Sequence, residues 1–418
     1  MERRDTVVIG AGHSGLAVSY GLTRRGVDHV VLERGRLAER WRSERWDSLT
    51  LLTPNWMSQL PGFPYQGSDP DGFDARDEYV RHLEAYARSF AAPVRGGTTV
   101  RRVARASDGR QLTVATSRRD YEARNVVVAT GPFHEPVIPP FAASVPASVL
   151  QLHSSGFRNA RQLPDGAVLV VGGGNSGTQI AEGLHRNGRE VYLSVGRLRP
   201  LPRRYRGRDA MWWLIQMGRL DQSVEALPSP EARSLPPPLL TGVGGGHDMD
   251  LRGLAAEGMT LLGRIRGISD GRVSIEPTLR SSLAAGDEAR EAFKRAADEL
   301  ARERSLDLPD EPNQPSASAH ADPKHLDTLD LARANVTSVI WSTGFRTNFS
   351  WLDAPIFGTD GEPLHRAGVT AVPGLYLVGL RWLTKYKSFF IYGVGEDAEY
   401  ISDHVAKRAA QGTQALVD

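Results

Sequence analysis

Two stretches of the chain share one hydrophobic pattern: a short continuous apolar run, a glycine-rich turn, and a segment with apolar residues at helical spacing. The first runs from Thr6 to Leu22 (TVVIGAGHSGLAVSYGL) and the second from Val168 to Leu184 (VLVVGGGNSGTQIAEGL). A short apolar, β-branched run predicts a buried parallel strand, and the helical spacing predicts an amphipathic helix behind it. A further apolar run follows each copy, so the sequence predicts two β–α–β units.

Periodicity elsewhere predicts a smaller set of elements. Residues 77–89 and 287–304 each place apolar side chains on one helical face. Residues 98–116 alternate as in a hairpin with its turn at Ser107-Asp108-Gly109-Arg110, and a helical pattern follows Gly393. These elements lie outside the two units and would support them.

Each unit has a GxGxxG sequence between its first strand and its helix. The glycines are Gly10, Gly12 and Gly15 in the first copy and Gly172, Gly174 and Gly177 in the second. In a dinucleotide-binding fold the first glycine makes a tight turn, the second admits a pyrophosphate, and the third lets helix and strand pack closely. The alternative is a glycine-rich turn without a ligand. The complete succession of strand, loop, helix and strand favours a nucleotide.

The two units differ where their second strands end. The first ends on Glu33, placed to accept hydrogen bonds from ribose hydroxyls, whereas the second ends near Ser194 and continues to Arg197 and further arginines. An acid repels a ribose 2′-phosphate and an arginine pairs with it. We therefore expect NADPH in the second site and FAD, the usual stationary hydride acceptor, in the first. Alternatively, the arginines form a solvated surface loop.

Composition narrows the class of protein. The chain has 418 residues, 40% hydrophobic and 24% charged, as in a folded protein of two domains. With 51 basic and 49 acidic side chains it carries no field that would attract nucleic acid or an anionic membrane. Neither a secretory signal nor a membrane-spanning apolar run is present in the sequence. The expectation is a cytoplasmic protein.

The chain contains no cysteine. Disulfides, thiolate-bound metals, iron–sulfur clusters and a redox-active dithiol are therefore excluded. The histidines of the turn-rich segment 310–325 have no metal-ligand spacing, so no metal site is expected. That segment itself predicts a mobile loop.

Several short motifs complete a resemblance to a known family. They are Thr130-Gly131 after NVVVA, Thr343-Gly344 after SVIWS, and the strand GLYLVGL that contains Gly379. Together with the paired loops, they resemble the flavin-dependent monooxygenases with two dinucleotide-binding domains. That group includes flavin-containing, Baeyer–Villiger and plant indole-pyruvate monooxygenases. The likeness covers nearly the whole chain, and bacterial flavoprotein oxidoreductases form the most similar subgroup.

The resemblance implies an α/β fold with two Rossmann-like domains. The FAD-binding domain is expected at residues 1–155 and 331–418. The NADPH-binding domain, at 156–330, is expected to be inserted into it, with a partly helical insertion around 209–330. A homodimer is left open.

The implied activity is an FAD-dependent, NADPH- and oxygen-consuming monooxygenase. It would insert one oxygen atom into a small-molecule substrate through a flavin-peroxide adduct. Alternatives are an NADPH oxidase, a flavoprotein reductase that passes electrons to a carrier, and a regulatory flavoprotein that senses NADPH. The Baeyer–Villiger fingerprint is matched only at His153 and Phe157, with Ala147 and Val149 in place of its Phe and Gly, which argues against ketone-to-ester chemistry.

The expected cofactor contacts follow the motifs and the family pattern. They are Gly10, Gly12, His13, Ser14, Gly15, Glu33, Arg34, Trp41, Trp46, Thr130, Gly131, Gly172, Gly174, Asn175, Ser176, Gly177, Arg197, Thr343, Gly344, Gly379 and Gly393.

Three residues are candidates for catalysis. Asn55 could correspond to the asparagine that flavin-containing monooxygenases place beside the flavin, or it could be part of a plain turn after Pro54. Tyr386 and Lys387 belong to an aromatic-rich segment, RWLTKYKSFFIYGVG, before the last helix. These aromatic residues could line a dry substrate pocket, or they could be ordinary packing.

Overall fold

The structure, a computed structural model, describes residues 1–106, 111–227, 229, 232–233, 236–310 and 322–414. The predicted turn at Ser107-Asp108-Gly109-Arg110 and most of the predicted loop at 310–325 lie outside the described residues. No helix in the described part of the chain is long and apolar enough to cross a membrane.

A ten-stranded sheet forms the centre of the first domain. Its strands are β1 (Glu2–Ile9), β2 (His29–Leu32), β3 (Val94–Arg95), β4 (Val100–Arg105), β5 (Leu112–Thr116), β6 (Tyr121–Val128), β19 (Leu352–Asp353), β20 (His365–Arg366), β21 (Val369–Thr370) and β22 (Leu375–Leu377). Strand β1 pairs in parallel with β2 and β6, and β22 extends this parallel core beyond β6. The central strands are apolar throughout because both of their faces are covered.

A second sheet contains five parallel strands in the order β13-β10-β9-β17-β8. They are β8 (Leu150–His153), β9 (Ala167–Val171), β10 (Val191–Ser194), β13 (Thr260–Leu262) and β17 (Val336–Trp341). Strand β9 lies between β10 and β17 just as β1 lies between β2 and β6. The two predicted β–α–β units therefore occupy equivalent places in two sheets.

The strand pairing differs from the expected domain boundaries at both ends of the inserted domain. Strand β8 was expected before the boundary at residue 155 and β17 after the boundary at 331, yet both pair within the second sheet. The chain therefore leaves the first domain after β6, near Thr130-Gly131, and returns after β17, near Thr343-Gly344. These are the two motifs that the family resemblance places between the domains.

Helices pack against both sheets, and the remaining strands form two pairs and one three-stranded sheet. The helices are α1 (His13–Arg24), α2 (Glu39–Ser43), α3 (Arg76–Ser89), α4 (Asn175–Arg186), α5 (Ala210–Gln216), α6 (Leu251–Ala256), α7 (Leu279–Glu303) and α8 (Val394–Gln414). The remaining strands are β7 (Glu135–Pro136), β11 (Arg204–Tyr205), β12 (Arg208–Asp209), β14 (Ile265–Ser269), β15 (Arg272–Ile275), β16 (Thr328–Asp330) and β18 (Phe345–Arg346). Helix α7 begins earlier than predicted because its buried stripe continues through Leu283 and Gly286.

The insertion packs against the first domain. Trp213 of α5 and Phe293 of α7 share an apolar cluster with Met57, Tyr386 and Phe390 of the first domain. Apolar side chains from both domains are buried together here, so the insertion stabilises the segment that precedes α8.

Candidate functional site

The two glycine-rich loops have the same backbone geometry. Gly10 has a φ of +108° and Gly172 a φ of +118°, in a region that side chains rarely adopt. A Cβ atom would lie 2.7 Å from the carbonyl oxygen of Ala129 at Gly10, and 2.4 Å from that of Ser342 at Gly172. These carbonyl groups belong to the two segments in which the chain crosses between the domains, after β6 and after β17. The first glycine of each loop is therefore required, because the crossing segment passes too close to it for a side chain.

The third glycine of each loop is required by the loop itself. A Cβ atom at Gly15 would lie 1.8 Å from the Gly10 carbonyl oxygen. At Gly177 it would lie 1.8 Å from the Gly172 carbonyl oxygen. Helix and strand can therefore approach each other only without a side chain at this position.

The middle glycines have no such requirement within the protein. Gly12 and Gly174 have φ values of −84° and −79°, which any residue adopts. A Cβ atom at either position would meet no protein atom within 4 Å. Since each lies at the N-terminus of a helix, a site for a dinucleotide pyrophosphate accounts for glycine at both positions.

The first loop opens into a cavity of about 420 Å³. Among the expected residues that line it are Gly10, Gly12, His13, Ser14, Glu33, Arg34, Trp41, Thr130, Gly131 and Gly379. The Glu33 carboxylate accepts hydrogen bonds from the Ala11 N–H at 2.9 Å and the Gly35 N–H at 3.1 Å. These bonds fix its position beside the loop, where it can still accept from a ribose.

His13 and Ser14 connect the first loop to late parts of the chain. The His13 Nε2 atom lies 3.2 Å from the Phe389 carbonyl oxygen. Burial lowers the pKa of His13 to about 4, so its ring is neutral at pH 7 and can donate to that oxygen. A Cβ atom at Gly379 would lie 2.3 Å from the Ser14 Oγ, so glycine is required where the end of β22 meets α1.

The cavity also contains cations that the motif analysis missed. Arg40 and Arg45 line it together with Arg34. Arg34 and Arg40 both pair with Glu44, and the Arg40 Nη1 atom is buried without a partner among the described residues. A buried, unpaired guanidinium N–H is suited to a phosphate oxygen. The basic run ERWRSERW was the available signal, but only the placement of α2 shows that it faces the loop.

The second loop is covered by a different segment. The Asn175 side chain donates to the Pro238 carbonyl oxygen at 3.0 Å and accepts from the Leu240 N–H at 2.9 Å. Ser176 is partly exposed beside it. The residues after Gly174 are thereby fixed by the insertion, as those after Gly12 are by Phe389.

Arg197 is exposed just beyond β10 and has no hydrogen bond or ion pair within the described residues. Ser194, at the end of that strand, donates its hydroxyl to the Gly263 carbonyl oxygen at 2.9 Å. Arg203, by contrast, is buried and pairs with Asp209 at 2.5 Å. Of these three side chains, Arg197 alone remains available to a phosphate.

The three catalytic candidates do not line the cavity. Asn55 is buried, donates to the Asp69 carbonyl oxygen at 2.9 Å and accepts from the Asp74 N–H at 2.6 Å. Both ends of its amide therefore hold the surrounding loop together, as in the plain-turn alternative.

Tyr386 and Lys387 connect the insertion to the first domain. The Lys387 ammonium is buried between Asp221 at 2.7 Å and Glu396 at 2.5 Å. Tyr386 packs between Trp382 and Phe390, and burial raises the pKa of its hydroxyl. The structure gives these two residues packing and ion-pair roles.

Four other expected cofactor contacts have structural partners. Trp46 is buried in an apolar cluster of the second domain and is not among the residues that line the cavity. A Cβ atom at Gly393 would lie 2.0 Å from the Lys387 carbonyl oxygen, so packing explains this glycine. Thr343 donates to the Val137 carbonyl oxygen, and the Gly344 carbonyl oxygen lies 3.0 Å from the His153 Nε2 atom.

Comparisons with known proteins agree with this geometry. A family model described as pyridine nucleotide-disulphide oxidoreductase matches residues 7–202. An indole-3-pyruvate monooxygenase of Oryza sativa subsp. japonica is 36% identical over 201 residues, 46% of this chain and 49% of that protein. A solved flavin-containing monooxygenase from Stenotrophomonas maltophilia has a TM-score of 0.66 at 22% identity, covering 98% of this chain and 100% of that one.

The structural match confirms the expected α/β fold with two dinucleotide-binding domains. A relative from Geobacillus kaustophilus, named an uncharacterized CzcO-like oxidoreductase, is 34% identical over 404 residues. The alignment covers 96% of this chain and 98% of the relative. With two dinucleotide-binding loops and a relative matched over nearly its full length, the chain belongs to the CzcO-like family of oxidoreductases.

Proposed function

We propose that the protein is an FAD-dependent, NADPH- and oxygen-consuming monooxygenase that inserts one oxygen atom into a small-molecule substrate. One observation carries the proposal: two dinucleotide loops of the same geometry occur in one chain, one beside Glu33 and the other beside Arg197. A stationary and an exchanging dinucleotide need two such sites.

The first site supplies the contacts for FAD. Gly12 leaves room for the pyrophosphate, Glu33 accepts from the adenosine ribose, and the unpaired Nη1 of Arg40 is available to a phosphate oxygen. When bound, the flavin supplies hydride acceptance and reaction with oxygen. Trp41 and Phe389 line the cavity and would help to shield a bound flavin from water.

The second site supplies the contacts for NADPH. Gly174 leaves the helix N-terminus open to a pyrophosphate, and the guanidinium of Arg197 is free to pair with a 2′-phosphate. The hydride acceptor and donor would then occupy sites on two domains that meet near Thr130 and Thr343.

The composition indicates where the electrons go next. Because the chain has no cysteine, it has no dithiol of its own to receive them. They must leave to a diffusing acceptor. The matches to an indole-3-pyruvate monooxygenase and a flavin-containing monooxygenase favour oxygen as that acceptor.

The decisive experiment measures NADPH, oxygen and product together for a panel of amines, thioethers, ketones and 2-oxo acids. A monooxygenase consumes NADPH and oxygen in equal amounts and forms one oxygenated product for each. Hydrogen peroxide in place of product with every substrate would establish an oxidase. Faster NADPH consumption with a carrier protein than with oxygen would establish a reductase, and no consumption at all would leave the sensor.

A further inference from the structure

Two guanidinium groups lie on the ring of Phe133. The Arg45 Cζ atom is 5.9 Å from its centroid and the Arg381 Cζ atom is 5.3 Å from it. Each arginine also contacts a second ring that lines the cavity at the first loop, called the flavin cavity below. The Arg45 Cζ atom lies 5.7 Å from the centroid of Trp41, and the Arg381 Cζ atom lies 5.5 Å from that of Phe389. Ring faces attract cations and leave the N–H edge of a guanidinium available.

This cluster lies where the two domains join. Phe133 lies two residues after Gly131, where the chain leaves the first domain. Its ring is 5.5 Å from that of Phe345, which directly follows Gly344, where the chain returns. Phe345 in turn contacts His153 of β8, at a centroid distance of 4.8 Å. A ligand bound between the domains would therefore meet the two arginines.

Neither arginine is neutralised within the described residues. Arg45 donates only to the neighbouring Glu44 carbonyl oxygen at 2.7 Å, while the Glu44 carboxylate pairs with Arg34 and Arg40. Arg381 has no hydrogen bond or ion pair in the described part of the chain. By contrast, Arg346, immediately after Phe345, pairs with Glu135 at 2.8 Å.

The two arginines differ in exposure, since Arg45 is half-buried and Arg381 is exposed. Burial, with repulsion from Arg40 as a second cause, lowers the pKa of Arg45 to about 10. Partial desolvation against the rings of Phe133 and Phe389 also lowers the pKa of Arg381. Both groups are still charged at pH 7. An oxyanion would compensate these charges and could accept two parallel N–H bonds from either guanidinium.

We propose that Arg45 and Arg381 bind an oxyanion of a ligand that enters the cleft between the two domains. Two sources supply this chemistry: the diphosphate of the nicotinamide cofactor, through the oxygens that do not face Gly174 at the second loop, and the carboxylate of an acidic substrate. The inference rests on the proposed function only in that a ligand of the second site or a substrate must reach the flavin cavity.

The test uses the flavin-loaded protein and the variant Arg381→Met, which keeps a long apolar side chain against the rings. Arg381→Lys retains the charge but loses the fork geometry. Arg333→Met serves as the matched control, because the Arg333 side chain is 84% exposed on the second domain. Arg45→Met tests the other arginine. This change should leave the local backbone in place, because Arg76 and Arg158 still donate to the carbonyl oxygen of residue 45.

Calorimetry then measures binding of NADP⁺, of 2′,5′-ADP and of benzoate as a small carboxylate. Arg381→Met should weaken NADP⁺ or benzoate at least tenfold, Arg381→Lys should weaken the same ligand less, and 2′,5′-ADP should bind unchanged. Weaker NADP⁺ identifies the cofactor diphosphate as the source, and weaker benzoate identifies an acidic substrate.

Unchanged affinity for both NADP⁺ and benzoate in the Arg45→Met, Arg381→Met double variant would overturn the proposal. Loss of FAD alone, with both affinities unchanged, would also overturn it, because the arginines would then serve the resident flavin. These are binding measurements, so they remain readable if no substrate is ever oxygenated and the proposed function fails.

Discussion

The two dinucleotide loops are alike in what forms them and different in what surrounds them. In both, a first glycine with positive φ passes a crossing segment and a third glycine lies against the first. In both, the middle glycine faces space that the protein leaves free. The loop geometry therefore explains why each copy can hold a pyrophosphate, but it cannot explain why they would hold different cofactors.

The difference lies beyond the glycines. The residue after the middle glycine is His13 in the first loop, bound to the Phe389 carbonyl, and Asn175 in the second, bound to Pro238 and Leu240. The second strand ends on a fixed carboxylate in the first unit and runs on to an exposed arginine in the second. We therefore expect the loop to determine phosphate binding and its neighbours to determine which cofactor binds.

The largest effect is expected from the third glycines. Gly15→Ala and Gly177→Ala each place a Cβ atom 1.8 Å from a backbone oxygen, so helix and strand must separate. We expect each change to lower the free energy of unfolding by about 3 kcal/mol or more. Denaturant unfolding measures this.

Gly183→Ala is the matched control for that pair. Gly183 lies within α4, and a Cβ atom there meets nothing within 4 Å. Alanine at this helical position should stabilise the protein by up to about 1 kcal/mol. If Gly15→Ala were as stable as Gly183→Ala, the close approach of helix and strand would be refuted.

The middle glycines should separate stability from binding. Gly12→Val and Gly174→Val should fold, at a cost of about 1 kcal/mol for a poorer helix N-cap, since neither Cβ meets a protein atom. Each change should weaken the affinity of its own site for its cofactor by at least about a hundredfold, which corresponds to roughly 2.7 kcal/mol. Flavin absorbance after purification and NADP⁺ calorimetry measure the two sites. A yellow Gly12→Val protein with full flavin content would remove the FAD assignment.

The residue beyond the second strand should set the coenzyme preference. Arg197→Ala removes a charge-assisted pair that contributes roughly 1.5–3 kcal/mol to binding of a 2′-phosphate. The KM for NADPH should rise about ten- to a hundredfold and the KM for NADH should stay the same. Arg333→Ala, an exposed change on the same domain, should alter neither. Equal effects on both coenzymes would show that Arg197 does not contact the 2′-phosphate.

Local patterns in the sequence predicted the local parts of this structure. The strand–loop–helix units and α3 follow from periodicity within short windows, and they are confirmed. The membership of β8 and β17 in the second sheet was missed because each pairs with a strand far away in sequence. Whether a strand joins one sheet or the other depends on such pairing and leaves no local signal.

The same limit applied to the site. The glycines and Glu33 were predictable because a motif fixes their spacing. Arg40 and Arg45 were missed because their place at the cavity depends on where α2 and the residues just after it lie relative to the loop. Asn55, Tyr386 and Lys387 have residue types suited to catalysis, but hydrogen bonds, an ion pair and packing engage them elsewhere.

The smallest effect should come from exchanging the residue after the middle glycine. His13→Asn gives the first loop the residue that Asn175 provides in the second. In the native protein burial lowers the pKa of His13 from 6.5 to about 4. Between these values the unfolded chain binds a proton at His13 that the folded protein does not, so the free energy of unfolding falls as the pH falls. The stability associated with the neutral, buried His13 ring is therefore fully present above pH 6.5.

One proton changes this slope by at most about 1.4 kcal/mol per pH unit. We therefore expect the native protein to lose about 1–2 kcal/mol more than His13→Asn between pH 6.5 and 5. Urea unfolding at several pH values measures the difference. Gly183→Ala, which introduces no titratable group at an open helical position, is the control. The same pH dependence of the free energy of unfolding in the native protein and in His13→Asn would contradict this expectation. It would mean that His13 binds protons equally in the folded and unfolded states.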